Sequence, residues 1–186
     1  MNGKKKGQAA MEYLMTYGWA LLVIVIVLAL LLIILGGYLR GTPSCVFGEA
    51  GFSCSEITPI IKGGATGEIY GQFKHMKEED IEIKGATFIA GQVNKDFIDT
   101  NHLWQYISGS KSLAPRTPYS FGDLIVPPLS APGLKVYGTD GTHENTLTPG
   151  SQIRGQLWIR YNLRSDTQIG YTGYRTAVAT VIANVE

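Results

Sequence analysis

The 186-residue chain predicts an α+β protein: one long N-terminal hydrophobic α-helix followed by an antiparallel β-sandwich head. Two observations carry that expectation. Every residue from Trp19 to Leu35 is apolar, and no charge lies between Glu12 and Arg40, which suits a helix hydrophobic on all sides. From about Gly67 the pattern changes to strand-length segments of period two, divided by clusters of turn residues.

At a rise of ~1.5 Å per residue, Tyr13–Leu39 makes a helix of ~40 Å, against ~30 Å of bilayer hydrocarbon. Lys4, Lys5 and Lys6 precede the run and only Arg40 follows closely. That asymmetry leaves the N-terminus in the cytoplasm and everything after Gly41 outside. Tyr13, Tyr17 and Trp19 then fall near the inner interface and Tyr38 near the outer one. A secretory signal fits less well: its apolar core spans only about 7–15 residues, and LGGYLRGTPS offers no A-x-A cleavage site.

Gly36, Gly37, Gly41 and Pro43 mark the predicted exit from the helix. Residues 41–66 read as a linker that contains Cys45 and Cys54, the two cysteines of the chain. Outside the membrane a disulfide between them persists. The alternative, a metal site, needs further ligands, and no histidine lies near. Closing so small a loop contributes ~2–3 kcal/mol in the chain-entropy account.

Residues 67–186 form the predicted head, with six to eight strands and no strong helix. GEIYGQF, DIEIKGATFIA, GLKVYG, SQIRGQLWIRYNL and TAVATVIANV each alternate or run apolar over strand length. In the fourth, Ile153, Leu157, Ile159, Tyr161 and Leu163 share one face, with Gly155 as a gap. The other face carries Arg154, Trp158 and Arg160. KHMKEED reads as a short helical turn or an exposed loop. LAPRTPYSFGDLIVPPLSAPG holds five of the eight prolines, so it reads as an irregular loop with at most a short edge strand. Strands of this number and pattern suit a sandwich.

Nothing in the head points to catalysis, a metal or a cofactor. His75, His102 and His143 are isolated, and the chain contains no nucleophile elbow or P-loop. Asp140, Thr142 and Glu144 alternate in GTDGTHEN without the EF-hand ligand pattern, so they read as a polar turn. Residues 41–186 carry 12 Lys/Arg and 14 Asp/Glu. Such a balance has no basic stripe with which to meet phosphates, which argues against nucleic acid as a partner.

One stretch carries a resemblance. KKKG-QAAMEYLMTYGWA, followed by its unbroken apolar run, resembles the class III signal peptide of archaeal type IV pilin-like proteins and archaellins. It covers about 30 residues. The resemblance implies that prepilin peptidase cuts the Gly7–Gln8 bond, removing the leader 1–7 and leaving residues 8–40 as the membrane and filament-core helix. It also implies an immunoglobulin-like head and, with a pilus assembly platform as partner, a helical filament of many copies. Glu12, fifth in the mature chain, would neutralise the new amine of Gln8 on a neighbour. An N-terminal glutamine that cyclises loses that charge, and Glu12 must then find hydrogen-bond donors. On the helix Glu12 shares a face with Thr16 and Trp19. The chain has no N-x-S/T sequon, a departure from those surface proteins of this kind that are heavily glycosylated. The expected function is therefore a structural subunit of an archaeal surface filament, held in the membrane before assembly and extracellular afterwards, its head exposed for adhesion. The alternative is a membrane-anchored extracellular protein that captures a sugar, surface or partner without forming filaments.

Overall fold

The computed structural model describes residues 4–38, 41–63, 67–124, 133–143 and 147–186, and their side chains except those of residues 4–14, 16, 35–38 and 106–110. The chain divides into two compact units, Met1–Gly41 and Thr42–Glu186.

The first unit is one helix, α1 (Lys4–Tyr38), of 35 residues, or ~52 Å at the standard rise. It begins inside the basic leader and runs through Gly36 and Gly37, which the sequence had marked as its exit. Two glycines cost a helix interior only ~1 kcal/mol each, too little to end so long an apolar run. Its window Tyr17–Ile34 has a mean hydropathy of 3.0 and no buried residue. Leu, Ile and Val side chains lie exposed on every face of it, so the helix is long and apolar enough to cross a membrane.

The second unit is built on strands: β1 (Ser44–Phe47), β2 (Phe52–Cys54), β3 (Ile60–Lys62), β4 (Glu68–Tyr70), β5 (Gln72–His75), β6 (Ile81–Ala90), β7 (Gln105–Leu113), β8 (Tyr119–Ser120), β9 (Leu134–Tyr137), β10 (Gln152–Leu163) and β11 (Arg175–Val185). Two short helices join them, α2 (Lys95–Thr100) and α3 (Arg164–Gln168), with a 3-10 turn at Phe121–Leu124. The segment 41–66, expected as a linker, thus supplies three strands. KHMKEED ends β5 and continues as loop.

The α+β class holds, whereas the expected antiparallel sandwich does not. The main sheet has the order β1–β11–β10–β6–β9–β4–β3, and a parallel pairing of β3 with β11 closes it into a barrel. The pairing of β6 with β9 is parallel too. A separate sheet, β2–β5–β8, completes the unit.

The three long strands β6, β10 and β11 explain the arrangement. The free edge of β6 pairs with β7 over Ile81–Ala86 and then with β9 at Phe88 and Ile89. The free edge of β11 pairs with β1 over Ala179–Ile182 and then with β3 at Asn184 and Val185. The barrel therefore closes at one end of the long strands. At the other end the small sheet supplies core residues, with Phe52 and Phe73 in the same cluster as Ile83, Leu157 and Val181.

The sequence alternation of β6 breaks at Lys84–Gly85, and the register against β10 shifts there. This bulge flips the strand's parity, so Ile81 and Ile83 before it and Ala86 and Phe88 after it all enter one core. Leu157, Ile159 and Tyr161 line that core from β10, with Ile153 and Leu163 packed against it, as the alternation predicts. Trp158 points the other way, into a second cluster with Ile89, Ile98, Leu103 and Trp104. There α2, capped by Asn94 accepting from the Phe97 N–H at 2.9 Å, covers the outer face of the sheet.

The gap at Gly155 is a steric requirement. A Cβ there would collide with the Ile89 carbonyl and the Phe88 ring. Gly155→Ala is expected to destabilise the protein by about 2–4 kcal/mol, mostly through overpacking against backbone. Thermal unfolding followed by circular dichroism checks this; an unchanged midpoint would refute the close approach.

Candidate functional site

Three features of the chain stand out: the positions of α1 expected from the sequence to serve processing and assembly, the disulfide, and a polar groove on the head. Gly7, Gln8, Glu12 and Thr16 all fall within α1; their side chains lie outside the described residues.

Cys45 and Cys54 are bonded, with Cα atoms 5.8 Å apart. Cys45 pairs with Val181 of β11 and Cys54 with Phe73 of β5, so the bond staples the barrel to the small sheet. Glu49, in the loop between the two cysteines, strengthens the tie: it accepts from the Tyr161 hydroxyl at 2.7 Å and from Lys77 Nζ at 3.2 Å. Burial, followed by the Glu49 carboxylate, pushes the Tyr161 hydroxyl pKa up, so it stays a donor. The Tyr161 ring packs edge-on against Phe52, 5.0 Å between centroids.

The groove lies where β6 and β10 pass beneath the β10–β11 connection. Two adjoining clefts make it, of about 380 Å³ and 430 Å³, sharing Glu82 and Thr167. Its floor is a row across three strands, Ser112 of β7 opposite Glu82 of β6 opposite Asn162 of β10. The wall is α3 and residues 169–174. Asp166 fixes that wall: its carboxylate accepts two hydrogen bonds from Arg175, at 2.8 and 2.9 Å, and one from the Leu163 N–H at 3.0 Å. The Arg175 hydrogen bonds first, then that of Leu163, hold the carboxyl pKa down to about 2. Asn162, its amide nitrogen donating to the carbonyls of Gly173 (3.0 Å) and Tyr161 (2.8 Å), pins the loop to β10.

Beside the groove, Arg160 lies between two rings, 4.3 Å from Trp104 and 5.0 Å from Tyr174. Asp99 of α2 accepts from both Arg160 Nη2 and Trp104 Nε1 at 2.6 Å. Arg160 and Trp158 appeared in the sequence as a mixed polar face. The Asp99 and Trp104 partners were not legible, because α2 and the return of the chain through β7 bring them there.

Among the described residues no cluster of histidine, cysteine and carboxylates could hold a metal. Asp140 accepts from the N–H and hydroxyl of Thr142 at 2.9 and 2.8 Å, the polar turn expected; Glu144 lies outside the described residues. His75 is fully buried, with Nε2 2.9 Å from the Leu113 carbonyl. Comparison with protein-family models, with curated proteins and with solved structures found no match.

Burial holds the His75 imidazole pKa below its ordinary 6.5, so on acidification the unfolded chain takes up the proton first. Stability is full above about pH 6.5, falls below it, and levels off once the folded pKa is passed. The Asp166 carboxylate, ordinarily at 3.8 and held at about 2, adds a second loss between those values. His75→Gln should flatten the first window and leave the second; denaturant titrations from pH 7.5 to 2 test this. Reducing the disulfide at pH 7.5 should cost about 2–3 kcal/mol, read in the same titration.

Proposed function

We propose that this protein is a structural subunit of an archaeal type IV pilus-like surface filament, assembled through α1 with the head outside. The observation that carries the reading is a 35-residue helix, apolar and exposed around its full circumference across Tyr17–Ile34. It is joined to a head stapled by a disulfide. Together with the leader KKKG and the QAAMEYL stretch, it suits a subunit whose helix leaves lipid for the core of a helical bundle.

Exchange of lipid for neighbouring helices gains little from apolar burial, since lipid is already apolar; packing and polar contacts between helices must contribute. In that role Glu12 is the polar contact. It stands seven residues, about 10 Å of helix, before Trp19. In the membrane it reaches the inner headgroup region, where its cost falls below the ~2.5–3.5 kcal/mol of a mid-bilayer charge. In the filament the amine of Gln8 on a neighbour answers it. Cleavage at Gly7–Gln8 requires the first turn of α1 to open, which is inexpensive at a helix end whose first N–H groups have no helical partner.

A second reading is favoured by the half-exposed Tyr171 and Tyr174 on the groove: a membrane-anchored binding protein that forms no filament.

Glu12→Gln should abolish or strongly reduce filaments, counted by electron microscopy, while subunit levels in the membrane stay unchanged; normal filaments would end the assembly role. Replacing Gly7 by a bulky residue should leave an uncut precursor ~0.7 kDa heavier, the mass of seven leader residues. Mass spectrometry of sheared material also separates the two readings, because an anchored receptor stays with the membrane.

A further inference from the structure

We propose that the groove over β6 and β10 binds a neutral oligosaccharide of at least two sugar rings.

Charge is the first ground. Among the described residues, the four ionised side chains lining the groove cancel in sign: Asp80 faces Arg164 at 3.9 Å, and Glu82 pairs with Lys84 at 2.9 Å. An ionic ligand would meet like and unlike charges together. Hydroxyl groups, which both donate and accept, match such a surface without that conflict. Ser112, Thr167 and Thr172 add hydroxyls along the same length.

Shape and apolar contact are the second. Tyr171 and Tyr174, each 47% exposed, line the cleft of about 430 Å³. Both clefts fall within the ~300–1,000 Å³ of small-molecule sites, and they continue into one another at Glu82 and Thr167. A sugar ring offers C–H faces to tyrosine and an equatorial rim of hydroxyls to the polar floor, which is the division this groove presents.

Preorganisation is the third. The loop carrying the two tyrosines is held at several points: Tyr171 N–H donates to the Asp166 carbonyl at 2.9 Å, and Asn162 holds the Gly173 carbonyl. Gly173 lets the Tyr171 side chain fold back, since a Cβ there would meet that ring. Tyr174 is braced by Arg160, itself held by Trp104 and Asp99. Rings fixed before binding lose little freedom on contact. An extended peptide is a poorer occupant. Along this stretch the central strand of the floor, β6, is paired on both sides, with β7 and with β10, so a peptide cannot add to it as a strand.

The test uses the full chain in a zwitterionic detergent that carries no sugar headgroup. Saturation-transfer NMR is run with neutral di- and trisaccharides built from glucose, galactose, mannose and N-acetylglucosamine, with heparin as the polyanionic control. At least one neutral saccharide should receive saturation and heparin should not. Tyr171→Ala should weaken that binding at least tenfold, whereas Tyr171→Phe, which keeps the ring, should hold it within about threefold. Both variants should keep the wild-type melting curve. No transfer to any neutral saccharide, equal binding of heparin, or binding that survives Tyr171→Ala would each overturn the proposal. Loss of filaments in Tyr171→Ala without saccharide binding to the wild type would also overturn it, and would assign the surface to a neighbouring copy. The Glu12→Gln variant, whose head is intact, should bind the saccharide as the wild type does, which keeps this outcome separate from the filament reading.

Discussion

The ladder of β6, β10 and β11 must satisfy two neighbours in succession along each of its outer edges. β7 then β9 take one edge, and β1 then β3 take the other. That constraint dictates the rest of the head. To serve β7 and then β9 while keeping its apolar side chains inward, β6 needs the bulge at Lys84–Gly85. To lie against the end of β6, β10 needs a residue without a side chain at 155. Closure into a barrel at one end leaves the other to be covered by the aromatic residues of β2 and β5 and by the turn at Phe121.

Covering one end with a separate small sheet creates a seam, and the polar and covalent ties of the head concentrate there. The disulfide joins the barrel strand β1 to the sheet strand β2, and Tyr161, Glu49 and Lys77 repeat the connection through side chains. His75 sits on the same seam, its ring 6.3 Å from that of Phe52. Protonation of the imidazole thus acts where the two sheets meet, without a charged partner in hydrogen-bond contact among the described residues. The opposite face of β10 is governed by different contacts: Arg160, Asn162 and Asp166 hold α2, α3 and the tyrosine loop in place around the groove. Staple and groove are therefore mechanically distinct parts of one unit.

Function divides along the same chain. The helix presents a predominantly apolar surface across Tyr17–Ile34, long enough to cross a membrane, and lies in a compact unit of its own. The head buries its core fully and offers the solvent a groove with paired charges and two half-exposed tyrosines.

The helix was legible because seventeen consecutive apolar residues admit few other structures, and its local pattern needs no partner to decide it. The five long or regular alternating segments were legible for a similar reason: period two declares which side chains face the core. GEIYGQF was only half read, since the chain leaves one sheet for another at Gly71, where Phe121 N–H donates to its carbonyl. β1, β2, β3 and β8 have two to four residues, too few for any period, and exist because an edge or the partner cysteine is waiting. QYISGSKSL becomes β7 only through the edge of β6, and RSDTQ becomes α3 rather than a turn through the bidentate Asp166–Arg175 pair. Barrel or sandwich was equally beyond the pattern. Alternation states that a face is buried but not against which strand, and that choice rests on the parallel pairing of Asn184 and Val185 with Ile60 and Ile61. The sequence by itself determined a membrane-length helix, two cysteines on one side of it and a strand-rich remainder. Tertiary structure alone decided the closed sheet, the seam that the disulfide staples, and the groove. Each of these depends on residues tens of positions apart, whose meeting no local periodicity records.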